Sequence, residues 1–134
     1  MADPAPAKFN SSAPVLFVRN IHAAAEHYRD AMGFKLGRFY GEPEVFTIIG
    51  RDGMYVMLKQ VAAELVVPHA AVDPEMWQMY FWVDDADALF AEFTQRGATI
   101  SYPPCDRFYG CREFGARDLD GHEIGFGQIL AKPD

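Results

Sequence analysis

The chain contains one short pattern twice, and that repetition constrains its fold more than any other feature of the sequence. In the first copy, an apolar run over 15–18 suits a strand. Asn20 can cap the helix that follows, and Ile21, Ala25, Tyr28 and Met32 fall on one helical face. Gly33 stands where a helix-ending glycine belongs. Strands are predicted over 34–40, 45–49 and 54–59, the last two joined through the turn Arg51-Asp52-Gly53. In the second copy, a strand over 79–83 leads to Asp84 or Asp85 as the cap. Ala86, Leu89, Phe90 and Phe93 make the buried helix face, and Gly97 ends the helix. Strands follow over 98–102, 113–117 and 123–128, the last two joined through Asp118-Leu119-Asp120-Gly121.

The two copies overlay about 65 positions apart, with Val18 on Val83, Phe46 on Phe114 and Asp52-Gly53 on Asp120-Gly121. Neither copy can bury its sheet alone. The expected fold is therefore α+β: two β-α-β-β-β modules forming a curved mixed sheet, with a central cleft and helices outside. The boundaries predicted are a flexible N-terminal arm over 1–12 and a single domain over 13–134. Module one covers 13–60, the link 61–77 and module two 78–131.

Net charge is −7, so the chain lacks the basic footprint of a nucleic-acid or anionic-membrane partner. No apolar run is long enough to span a bilayer, and the first twelve residues lack the apolar stretch of a secretory signal. Cys105 and Cys111 form no CxxC, so a disulfide framework is not expected and a cytoplasmic location is. Aromatic residues make up 14% of the chain, more than a small core needs, and suggest that some rings line a cavity.

Three segments carry a family resemblance: VLFVRNIHAAAEHYRDAMGF, WVDDADALFAEFTQRGA and REFGARDLDGHEIGFGQ. Together they resemble the vicinal oxygen chelate superfamily, which holds glyoxalases, extradiol dioxygenases and fosfomycin and bleomycin resistance proteins. The last segment is the most specific, with Leu119 where the family usually has Pro. The resemblance implies paired modules and a homodimer with two clefts. It also places metal ligands of the family's enzymes at Ala13, Met57, Gln78 and Gly125. Those residues make a poor donor set for a divalent cation, which wants about three His, Asp or Glu ligands. No metal and no other cofactor is expected.

Strand alternation assigns the cleft face to the same parity as those four positions. The expected ligand-binding residues are Phe17, Tyr55, Met57, Gln78, Tyr80, Trp82 and Glu113, with Phe108 and Tyr109 as a flap in a loop over 102–113. Tyr55, Tyr80 and Trp82 can stack on a flat ligand or face a cation, and Glu113 can pair with a positive group. Gly115, Gly125 and Gly127 are expected to leave space in the sheet. Glu123 is expected on a solvated rim, His22 and His27 facing solvent, and His122 in a turn outside the cleft. No catalytic residue is assigned. The function expected is metal-independent sequestration of an aromatic or cationic small molecule, as in the bleomycin-resistance branch. The alternative is a glyoxalase- or dioxygenase-type enzyme using the same cleft, with Glu113 or Glu123 as acid or base.

Overall fold

Both long helices form where capping chemistry and apolar spacing agree. The Asn20 side chain accepts from Ala23 N at 2.9 Å and starts α1, Ile21–Met32. Gly33 ends it at φ 73°, a left-handed conformation that lets the chain turn back while Gly33 N and Phe34 N donate to Arg29 O and Tyr28 O. The other helix, residues Ala86–Arg96, repeats the device with Asp85 as cap and Gly97 as terminator.

The computed structural model describes residues 3–131. Residues 3–12 carry no helix or strand and are exposed. The strands of the first module are β1 (Val15–Val18), β2 (Lys35–Tyr40), β3 (Phe46–Arg51) and β4 (Met54–Gln60). The link carries a 3₁₀ turn at Ala63–Leu65 and the one-turn helix α2 (His69–Val72). The second module holds β5 (Met79–Trp82), then the helix Ala86–Arg96, here α3. It ends with β6 (Thr99–Asp106), β7 (Cys111–Arg117) and β8 (Glu123–Ile129).

Each module forms its own four-stranded mixed sheet, in the orders β1-β4-β3-β2 and β5-β8-β7-β6. In both, the first strand lies parallel to the last and the other pairs are antiparallel. The repeat read from sequence is thus a repeat of topology. One segment differs from expectation. Most of the predicted loop over 102–113 is a β6–β7 hairpin, with only 107–110 outside the strands. Pro103 and Pro104 are tolerated because β6 is an edge strand, and its pairing with β7 shifts register on either side of Tyr102.

The two sheets share one core. Leu16, Val18, Val56 and Leu58 face it from the first sheet, and Phe114, Ile124 and Phe126 from the second. Between them sit α1 and α3, which touch each other. The Phe93 ring meets Phe114 at 5.7 Å and Phe126 at 5.1 Å, both edge-on.

Each module's last hairpin turn is also tied to the other module. Tyr28 Oη on α1 donates to Asp118 Oδ2 at 2.6 Å, and Arg19 N donates to Asp120 Oδ1 at 2.9 Å. In the reverse direction, Arg51 grips Glu92 of α3 through two nitrogens, at 2.7 and 2.8 Å. Buried His122 supports the first tie, its Nδ1 lying 2.8 Å from Asp118 Oδ2. The RDLDGH segment is therefore a structural latch. His27 differs from expectation: it is half-buried, and its Nε2 is enclosed with no hydrogen-bond partner.

Candidate functional site

The parity assignment places the predicted ligand residues on the sheet faces turned away from the core, one group on each sheet. On the second sheet they assemble around one carboxylate. Glu113, in the middle of β7, is fully buried. Tyr80 lies on β5, two strands away, and still reaches it: Tyr80 Oη donates to Glu113 Oε1 at 3.0 Å. The intervening strand β8 makes this possible. It presents Gly125 and Gly127, and Tyr80 packs over both, where a Cβ on either would collide with it. Trp77 covers Gly125 as well, and Tyr102 covers Gly115. The glycines that were expected to leave open space instead seat aromatic rings against the backbone.

Three further donors close on the carboxylate. Tyr102 Oη donates to Oε2 at 2.7 Å, Arg107 Nε to Oε2 at 3.2 Å, and Tyr109 Oη to Oε1. Trp77 Nε1 donates in turn to Tyr102 Oη at 3.0 Å, and the Arg107 guanidinium lies 5.2 Å from the Tyr102 ring centre. Two oxygens thus accept four bonds, which fills their lone pairs. The expectation that Glu113 pairs with a cationic ligand is corrected accordingly: its partners are already internal.

Burial pushes the Glu113 carboxyl up, but the bonds from Tyr109, Tyr102, Tyr80 and Arg107 outweigh it and hold the group below the usual carboxylate range. The phenols move the other way. Burial, reinforced by the Glu113 charge, pushes Tyr109 up to about 12 and raises Tyr80 and Tyr102 above the ordinary phenol value. The cluster is locked as one carboxylate and three neutral phenols across the neutral range.

Other predicted residues have different placements. Trp82 is 68% exposed and edges Tyr80 at 5.3 Å, extending the aromatic surface. Gln78 turns to the link, where its Oε1 accepts from His69 N at 2.9 Å; it braces α2. Phe108 is fully exposed at the hairpin tip and touches the Tyr109 ring. Glu123, expected on a solvated rim, is buried and accepts from Arg117 Nε at 2.8 Å and from Ser101.

Phe17, Tyr55 and Met57 sit on the outward face of the first sheet. Among the described residues, no hydrogen bond or ring contact joins them to the Glu113 group. Tyr55 lies over Gly50 and borders a groove of about 750 Å³ with Leu36, Tyr40 and Ile48. The groove's charged edge carries Lys35 and Arg38, so this face is locally basic despite the acidic chain.

Sequence reasoning missed Trp77, Tyr102 and Arg107. Tyr102 and Arg107 lay in the segment taken for a loop, and Trp77 in the link. Strict alternation puts Tyr102 on the core face with Ile100; the register shifts on either side of it bring its ring to the outer face instead.

The four positions at which the family resemblance puts metal ligands, Ala13, Met57, Gln78 and Gly125, do not fit a metal. Two have no side-chain donor, Met57 offers a soft thioether, and the Gln78 oxygen is engaged by His69. Asp118, Asp120 and His122 place donor atoms within 4.8 Å of one another, but these are occupied by the latch to α1 and Arg19.

The glyoxalase/bleomycin resistance protein/dioxygenase superfamily model matches residues 11–126, and the chain belongs to that superfamily. Solved structures agree on the fold. TioX from Micromonospora sp. ML1 is 24% identical with a TM-score of 0.71, over 91% of this chain and 100% of TioX. The bleomycin-binding protein of bleomycin-producing Streptomyces verticillus, solved with copper(II)-bleomycin, is 21% identical with a TM-score of 0.69, over 95% and 100%. A glyoxalase-related enzyme from Clostridium phytofermentans is 12% identical with a TM-score of 0.75, over 92% and 98%. Among curated proteins none matches significantly. No described helix is long and apolar enough to cross a membrane.

Proposed function

We propose that the protein binds an aromatic or cationic small molecule non-covalently and without metal, on the aromatic face built around Glu113. The observation that carries this is the saturated carboxylate. Its four donors fix Tyr80, Tyr102 and Tyr109 in place, so the rings are preorganised to stack on a flat ligand at little entropic cost. Trp82 and Tyr109, both more than two-fifths exposed, are the rings a ligand meets first. A cationic ligand is held by ring faces, since Glu113 is matched by Arg107 and Glu123 by Arg117.

The same observation weighs against the enzyme. A carboxyl acting as general acid near neutral pH needs a raised pKa, and that of Glu113 is lowered. The superfamily includes proteins that bind drugs, among them the bleomycin-binding protein noted above. Sequestration of such a compound, and resistance to it, is the role the reading supports. A homodimer is part of it: Val15, Phe17 and Tyr55 leave about half their surface exposed on the first sheet, an apolar face suited to a second copy.

Fluorescence titration tests the proposal, because Trp77 and Trp82 both belong to the site. Bleomycin and simpler flat cations, added in the presence of a chelator, are expected to quench the emission saturably. Tyr80→Ala should weaken that binding by about tenfold, the loss of one stacked ring contact. A flat response to the whole panel, or binding that requires a divalent metal, would refute it.

A further inference from the structure

A cavity bordered by Trp82 lies between the β3–β4 turn and the N-terminal end of α3. Its volume is about 500 Å³, within the usual range for small-molecule sites. Phe34, Phe81, Leu89, Phe93 and Phe126 supply an apolar lining. The mouth is acidic and carries Asp52, Asp84 and Asp85.

The charges at this mouth are unbalanced. Arg51, which also borders the cavity, directs two nitrogens to Glu92 and meets Asp52 only through Nε at 3.4 Å. Glu92 is further engaged by Arg96 at 3.0 Å. Asp85 spends Oδ1 on capping Ala88 N. Asp84 is exposed and has no hydrogen-bond or ion-pair partner among the described residues. An apolar interior with excess negative charge at its entrance complements a ring system bearing an ammonium group.

We infer that this cavity is a second ligand site, for a small aromatic amine whose ring enters among the phenylalanines while its ammonium stays at Asp84 and Asp85. The inference is independent of the Glu113 face: the two sites share only Trp82, and here Asp84 has no partner among the described residues and Asp85 commits only Oδ1 to its helix cap.

The test is an amide-detected NMR titration of the full chain with naphthalen-1-ylmethylammonium, 1-naphthalenemethanol and 1-naphthoate. The ammonium should cause saturable shifts over 51–54 and 83–89 and bind at least about tenfold tighter than the alcohol, with naphthoate weakest; a full ion pair at a partly desolvated site accounts for that ratio. Asp84→Asn should erase most of the preference. Ala88→Trp, at an exposed position of α3 lining the cavity, should block the ring without disturbing the core. Equal binding of all three probes, no saturable shifts at millimolar concentration, or shifts confined to the Glu113 face would overturn the inference.

Discussion

Glu113 is the residue on which the account turns. A buried carboxylate with four donors is stabilising only while every partner is present. Glu113→Gln replaces one acceptor with an NH₂ that faces tyrosine and arginine donors, so it should cost about 2 kcal/mol in chemical denaturation. The pH dependence has a definite sign. Glu113 and Asp118 are both held below the usual carboxylate range. Their contribution is therefore fully present above the unfolded-state values near pH 4 and drains away as pH falls through the lower folded-state values. Acid unfolding monitored by circular dichroism should show this loss, and Glu113→Gln should flatten it. At alkaline pH the tyrosines act oppositely. Tyr28, Tyr80, Tyr102 and Tyr109 have raised values, so they favour the folded state below the free phenol's pKa and should ionise late in an ultraviolet titration. Strand parity made Glu113 and Tyr80 legible in the sequence. The saturation of Glu113 was not legible, because three of its four donors come from β6 and the β6–β7 turn, whose pairing the two prolines obscured.

At the scale of elements, the glycine strip of β8 governs the site. Gly125→Ala would put a Cβ 2.8 Å from Trp77 Nε1 and against the Tyr80 ring. Gly127→Ala would strike the Tyr80 hydroxyl and sever its bond to Glu113. Either variant should keep the fold, since both backbones are extended, yet shift Trp emission and weaken ligand binding about tenfold by tilting one ring. Unchanged emission would mean that the rings are not seated on the strip. Core substitution should separate from this: Phe93→Ala opens a cavity among Phe114 and Phe126 and should cost about 3–5 kcal/mol. Helix limits and the order of elements along the chain were read well from caps and repeats, since Asn20, Asp85, Gly33 and Gly97 act through local chemistry. Glycine spacing was read correctly, but its consequence depended on side chains from neighbouring strands.

For the whole molecule, the repeat gives each of the two small modules a tie to the other. Each hairpin turn holds the other module's helix, Asp118 to Tyr28 and Arg51 to Glu92. Burial raises the Asp118 carboxyl, and the bonds from His122 and Tyr28 overcome it, so the latch is charged when folded. Asp118→Asn should therefore destabilise both modules together, as one transition in calorimetry. Two separate transitions would show that the modules are not coupled. That Ala13 and Gly125, two of the positions where the family resemblance puts metal ligands, carry no side-chain donor was legible in the sequence itself. The central claim joins these levels: a metal-free aromatic face binds the ligand. Isothermal titration of the chelator-treated protein tests it most directly, with Ni(II), Zn(II), Mn(II) and Fe(II) in turn and then with bleomycin. The account predicts no stoichiometric metal binding and a saturable heat of ligand binding that Tyr80→Ala diminishes. Tight metal binding at the sheet face, or ligand heat that appears only after metal is added, would contradict it.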